Sequence, residues 1–200
     1  MAFKLAHGFE LTDQELKLIL QQSQAVWHVV SNAHLLGLNQ WYVGAGAVCQ
    51  TVWNIKHQYK PDDHLKDIDL IYYDASDISS ESELEVRCLT ANLFGDLQHP
   101  IDVVNQARVH TWYSRQFGFE IPPYQSSQEA IGTWPTTASS IGVRLEQSGE
   151  FTVFAPFGLS DIDAMIVRPN KRLINKEIYE SKALQWKRNW PKLEIVPWSG

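Results

Sequence analysis

The chain has 200 residues, of which 44% are hydrophobic and 20% charged. That length suits about one domain, and that composition can bury a core, which excludes an intrinsically disordered chain. Its 23 Asp and Glu exceed its 17 Lys and Arg, for a formal net charge of -6, which weighs against an extended nucleic-acid track because such binding runs on phosphate neutralisation.

Thr12 and Glu15 form a capping box that opens a helix. Leu16, Leu20, Val26, Val30, Ala33 and Leu36 recur at helical spacing, so one helix is expected to run to Gly37. Trp41-Tyr42-Val43 is a β-prone run that ends at Gly44-Ala45-Gly46, and a helix is expected from Ala47 to about Tyr59. Asp67 to Tyr73 alternates as a strand does. Ser80 and Glu83 suggest a second capping box and a helix that stops at Gly95. Ile101 to Val104 reads as a strand, and Asn105 to Phe117 as a helix.

After Pro122-Pro123 the texture changes. A helix starts at Ser126 or Ser127, and two runs, Ile141 to Leu145 and Phe151 to Phe154, flank a turn as a hairpin. Met165 to Val167 is a further short strand, and Asn175 to about Asn189 a last helix. The fold class lies between α/β and α+β: a mixed sheet flanked by helices. A first lobe is expected over 1–120 and an α+β extension packed on it over 121–200. Cys49 and Cys88 read as reduced, buried thiols. Met1-Ala2-Phe3-Lys4 has no signal-peptide pattern, and no run approaches the roughly 20 apolar residues that span a bilayer. A cytoplasmic protein without a membrane partner is expected.

The strongest chemical signal is Asp67-Ile68-Asp69. In a strand, residues i and i+2 share a face about 6–7 Å apart. Two carboxylates would then stand side by side, opposite the apolar Ile68 and Leu70. That is awkward as plain structure but suits Mg2+, which takes hard oxygen ligands. Asp102 is a third acid in a third strand, between Ile101 and Val103. Three carboxylates around one point can hold two metal ions about 3.5–4 Å apart. Upstream, Gly44-Ala45-Gly46 leads into a helix whose free N–H groups suit a phosphate. The segment is neither GxGxxG nor a P-loop.

Gly, then Asp-x-Asp, then a third acid, each in a strand, resembles the DNA polymerase beta-like nucleotidyltransferase superfamily. Longer stretches are similar to one nucleotidyltransferase-like branch of it. These are Gly46-Ala47-Val48 to Asn54, Asp67 to Asp74, Asp102 to His110, Ala138 to Leu145 and Phe154 to Leu159. The resemblance implies that Asp67, Asp69 and Asp102 bind Mg2+, or Mn2+ in its place, and carry the catalysis. It also implies that Asp102 helps deprotonate the acceptor hydroxyl, and that Gly44, Ala45 and Gly46 contact nucleotide phosphates. The superfamily places Gly or Ser after its key Gly; here that residue is Ala45 or Ala47, depending on register.

Arg108 is a candidate phosphate clamp, with a structural salt bridge as the alternative. Asn105, His110, Trp134 and Arg144 are further candidate substrate contacts, Trp134 for stacking on a base. Asp161-Ile162-Asp163 repeats the DxD pattern but reads as a helix start. The expected function is metal-dependent transfer of a nucleoside monophosphate from an NTP to an unidentified hydroxyl acceptor. The alternative is a nucleotide-binding or regulatory protein that catalyses weakly or not at all. A haloacid-dehalogenase-like phosphatase would want Thr or Val two residues after its second Asp, where this chain has Ile71. A DxD glycosyltransferase leaves the third strand acid unexplained.

Overall fold

The computed structural model describes residues 11–199. The reading of Met1-Ala2-Phe3-Lys4 lies outside them. Thr12 caps α1 (Asp13–Leu20) with the reciprocal Glu15 bond of a capping box. The single helix expected to reach Gly37 is instead broken. The Ser23 hydroxyl accepts from the Val26 N–H at 2.9 Å and starts α2 (Gln24–Asn32), while donating to Asp62. A side chain that satisfies a first-turn N–H makes a new start favourable there. A 3-10 turn, Ala33–Leu36, then ends at Gly37 in the left-handed region, φ 64°.

β1 (Tyr42–Gly44) passes directly into α3 (Ala45–His57), and β2 (Ile68–Tyr72) follows. α4 (Ser80–Leu93) is capped by Ser79, not Ser80: the Ser79 hydroxyl accepts from the Ser82 N–H at 3.2 Å. Glu83 is thereby freed from the expected capping box and turns inward. β3 (Ile101–Asn105) takes one residue more than expected, so the next helix starts late. A 3-10 turn over Gln106–Arg108 precedes α5 (His110–Phe117). α6 (Ser127–Ile131) is capped by Ser126, and β4 (Gly142–Leu145) and β5 (Phe151–Phe154) form the expected antiparallel hairpin. α7 (Ser160–Asp163), β6 (Ile166–Val167), α8 (Lys176–Asn189) and β7 (Glu194–Ile195) complete the chain, β7 being an unanticipated parallel partner for β6.

The main sheet runs β3-β2-β1-β4-β5. β2 and β3 are parallel and every other pair is antiparallel, which is the mixed sheet flanked by helices that was expected. One face carries Val43, Ile68, Leu70, Tyr72, Val103 and Val143 into the main core, against residues of α1, α2, α3 and α8. Trp53 anchors that core, with Trp186 and Trp190 at 5.2 and 5.6 Å between ring centroids. Truncating such a residue to Ala costs about 3–5 kcal/mol. The opposite face holds a smaller cluster of Tyr42, Ile71 and Ile131, joined by Trp134 and Phe154.

Cys49 is buried in α3, and burial pushes its thiol up to about 12. Cys88 corrects the expectation of two buried thiols: α4 turns Glu83 and Thr90 inward and leaves Cys88 exposed beside Leu84 and Leu89. Among the described residues, no helix is long and apolar enough to cross a membrane.

Candidate active site

The register of the sheet builds the site. Gly44 stands opposite Asp69, Asp69 opposite Asp102, and Gly44 opposite Gly142 on its other side. Residues paired across a ladder project from the same face, on strands about 4.8 Å apart. Asp102, Asp69, Gly44 and Gly142 therefore form one row, on the face opposite the main core. Asp67 sits one residue before β2 and is exposed, and continued alternation puts it on the same side as Asp69.

The row is only weakly compensated. Burial of the half-buried Asp69 raises its carboxyl to about 7; the charges of Asp67 and Asp102 add to the rise, and Lys182 opposes it. Asp102 is also raised, by burial against the pull of Arg87, and Asp67 and Glu83 raise it further. Its nearest cation is Arg87, at 4.0 Å. Among the described residues, no three His, Cys, Asp or Glu side chains are gathered tightly enough to hold an ion as they stand. The donor set nevertheless fits a divalent cation: hard carboxylate oxygens on one face, whose mutual repulsion such an ion would relieve.

Gly44 is required where it is. A Cβ there would lie 2.5 Å from the Ile141 carbonyl oxygen and 2.9 Å from the Trp134 ring. The strand ends at Gly44, so Ala45 is the residue that follows the key glycine. Ala45 is left-handed, φ 51°, which costs a residue with a Cβ about 1–2 kcal/mol. Its N–H donates to the Ile141 carbonyl at 3.0 Å. The one backbone donor of Ala45, expected to contact a phosphate, is thus engaged within the fold. Gly46 lies in the first turn of α3, where N–H groups lack intrahelical acceptors.

The profile of the Nucleotidyltransferase family matches residues 31–195. The chain belongs to that family. A solved NMR structure described as a CCA-adding enzyme head domain is similar to it, with 27% identity and a TM-score of 0.74 over 95% of this chain and 100% of that one. Curated proteins give no match.

The remaining candidates divide by position. Trp134 is brought to the face of the acid row, against Gly44. Arg144 lies two residues beyond Gly142 on that same face. Its guanidinium sits 5.2 Å over the Tyr42 ring, and its Nε lies 3.0 Å from Glu146. Asn105, Arg108 and His110 are not brought to the row. They lie at or beyond the other end of β3, three residues or about 10 Å from Asp102 at the closest. Asn105 holds the Asp74 carbonyl and N–H at 2.8 and 3.0 Å. Arg108 pairs with Glu83 at 2.9 Å and donates to the Ile78 carbonyl at 3.2 Å. Its guanidinium thus makes the salt bridge that was the alternative to a phosphate clamp. The His110 Nδ1 is buried without a partner. Asp161 accepts from Thr137 at 2.6 Å and pairs with Arg168 at 3.0 Å, the structural role expected of the second DxD.

Lys182 and Gln50 were not singled out from the sequence. Both line a cleft of about 600 Å3 that also includes Asp67. The face of α8 that lines it, Ile178, Lys182, Gln185 and Asn189, has helical spacing and is legible. Nothing in the chain order says that this face looks onto Asp67.

Proposed function

We propose that this nucleotidyltransferase moves a nucleoside monophosphate from an NTP to a hydroxyl acceptor, in the manner of the DNA polymerase beta-like superfamily. The observation that carries the reading is the row of Asp69 and Asp102 beside Gly44, with Asp67 next to it. Asp67, Asp69 and Asp102 would hold Mg2+, or Mn2+ in its place. When bound, the metal neutralises phosphate charge and favours attack on phosphorus. The acceptor oxygen bonds to the α-phosphorus, the bond to the bridging oxygen breaks, and pyrophosphate leaves with that electron pair. The acceptor proton passes to Asp102 and then to solvent. Trp134 offers a face on which a base can stack. On this reading residues 1–120 carry the acids, and residues 121–200, the expected extension, add β4 and β5 to the same sheet and α8 to the same core.

The test is incubation with Mg2+, each labelled NTP and a panel of RNA ends, protein hydroxyls and small hydroxylated molecules, scored by pyrophosphate release. Turnover that Asp67→Ala and Asp69→Ala abolish is expected. Equal turnover in wild type and variants would contradict the reading.

One observation favours a second reading, a nucleotide-binding protein with weak or no turnover. The residue after Gly44 is Ala45, which has no hydroxyl and whose N–H is engaged by Ile141. Mg2+-dependent NTP binding without turnover across the panel would select it.

A further inference from the structure

We propose that the cleft between α8 and the start of β2 seats the β and γ phosphates of the NTP, with Lys182 as the cation that binds them and Gln50 as a second donor. This rests on the nucleotidyl-transfer reading and assigns that site its polyphosphate end.

The cleft is lined by Gln50, Lys66, Asp67, Ser181, Lys182 and Trp186, among others. Asp67, two residues before Asp69, is the acid it shares with the site. An anion held in it therefore lies beside the carboxylates that would share its metal.

Lys182 is a held cation without a counter-ion. Lys56 and Lys176 are paired with Asp163 and Glu180, but Lys182 pairs with no carboxylate among the described residues. Its ammonium is instead placed 5.0 Å from the ring of Trp186, one turn further along α8. Trp186 is itself fixed against Trp53. The lysine is thus positioned before any ligand arrives, which lowers the entropy lost on binding. Lys182 shares the lining of the cleft with Gln50 of α3 and with Asp67, and its charge opposes the rise at Asp69. A compact ammonium is a good phosphate donor.

Gly46 fits the same picture. The Gln50 Nε2 lies 2.7 Å from where a Cβ of residue 46 would stand. With no Cβ at residue 46 the Gln50 amide folds back over the start of α3, where it adds a donor beside the unpaired N–H groups of the first turn.

The cleft also holds two acids, Asp67 and Glu177, against two cations, Lys66 and Lys182. A bare anion would meet a mixed field. A divalent cation on Asp67 reverses its local sign and leaves the lysines in excess.

The test is calorimetric binding of inorganic tripolyphosphate in Mg2+, with NTP turnover measured in parallel. Lys182→Met keeps the apolar stem over Trp186, and Lys182→Ala is the second variant. Both are expected to weaken tripolyphosphate binding about 10- to 100-fold, the loss of one charge-assisted contact. The KM for NTP should rise by a similar factor, with kcat changed less and the melting temperature held. Gln50→Ala should weaken binding by a smaller factor. Unchanged tripolyphosphate affinity in both Lys182 variants overturns the proposal, as does a rise in KM for the acceptor alone, which would make the cleft the acceptor's. Lys182-dependent binding in a protein without turnover would support the cleft while removing the transfer reading.

Discussion

The two ends of the β2–β3 pair treat acids in opposite ways. Near the end of β3, Glu83 is only 7% exposed, yet it is fully partnered: Arg87 and Arg108 lie at 3.0 and 2.9 Å, and the Asn105 N–H donates to it at 2.9 Å. At the start of the same strands, Asp67, Asp69 and Asp102 face one another, and the nearest cation to Asp102 is Arg87 at 4.0 Å. A structural acid is buried together with its partners. A row of acids with only one long ion pair raises the free energy of the fold, and folds keep such a cost where a ligand relieves it.

The sharpest way to break that contrast is to neutralise one acid at each end. Asp69→Asn should lower transfer about 1,000-fold or more, since several kcal/mol of charge stabilisation is lost. The same change should raise the melting temperature of the metal-free protein by about 2–4 °C, the shift about 1 kcal/mol produces at this size, because it removes a disfavoured carboxylate. Pyrophosphate release and calorimetry at pH 8 with a chelator check the two halves. Glu83→Ala should do the reverse. It strands Arg108 and the Asn105 N–H and should lower stability by about 3–5 kcal/mol in urea, leaving the turnover of the folded fraction nearly intact.

Smaller changes sharpen the picture around Gly44. Gly44→Ala should cost about 1–3 kcal/mol by overpacking against Ile141 and Trp134, and urea denaturation reads it. Ala45→Gly should stabilise by about 1 kcal/mol, because it removes the left-handed strain at φ 51°; a higher urea midpoint is the sign. Trp134→Leu should raise the KM for NTP about 5- to 10-fold from lost stacking. An unchanged KM would place the base elsewhere.

The acids were legible because strand alternation is a local rule. Asp67 and Asp69 needed only the period of β2, and Asp102 needed only a parallel neighbour. What was not legible depends on distant partners. The break at Ser23 is fixed by the loop that carries Asp62, 39 residues away. Whether Gly44 or Gly46 lines up with the acids depends on where β1 stops pairing with β2 and β4. Arg108 stood six residues after Asp102 with clamp and salt bridge both open, and those six residues run the length of β3 and turn a corner to Glu83. Lys182 was invisible for the same reason in reverse: a distant helix brings it to the acids.

The central claim is that the weakly compensated carboxylates are kept for a divalent cation. Titration with Mn2+, followed by electron paramagnetic resonance, tests it without any acceptor or nucleotide. The wild-type protein should bind Mn2+, and Asp69→Asn should bind at least about 10-fold more weakly, a loss of about 1.4 kcal/mol. Equal Mn2+ affinity in the two proteins would contradict the account.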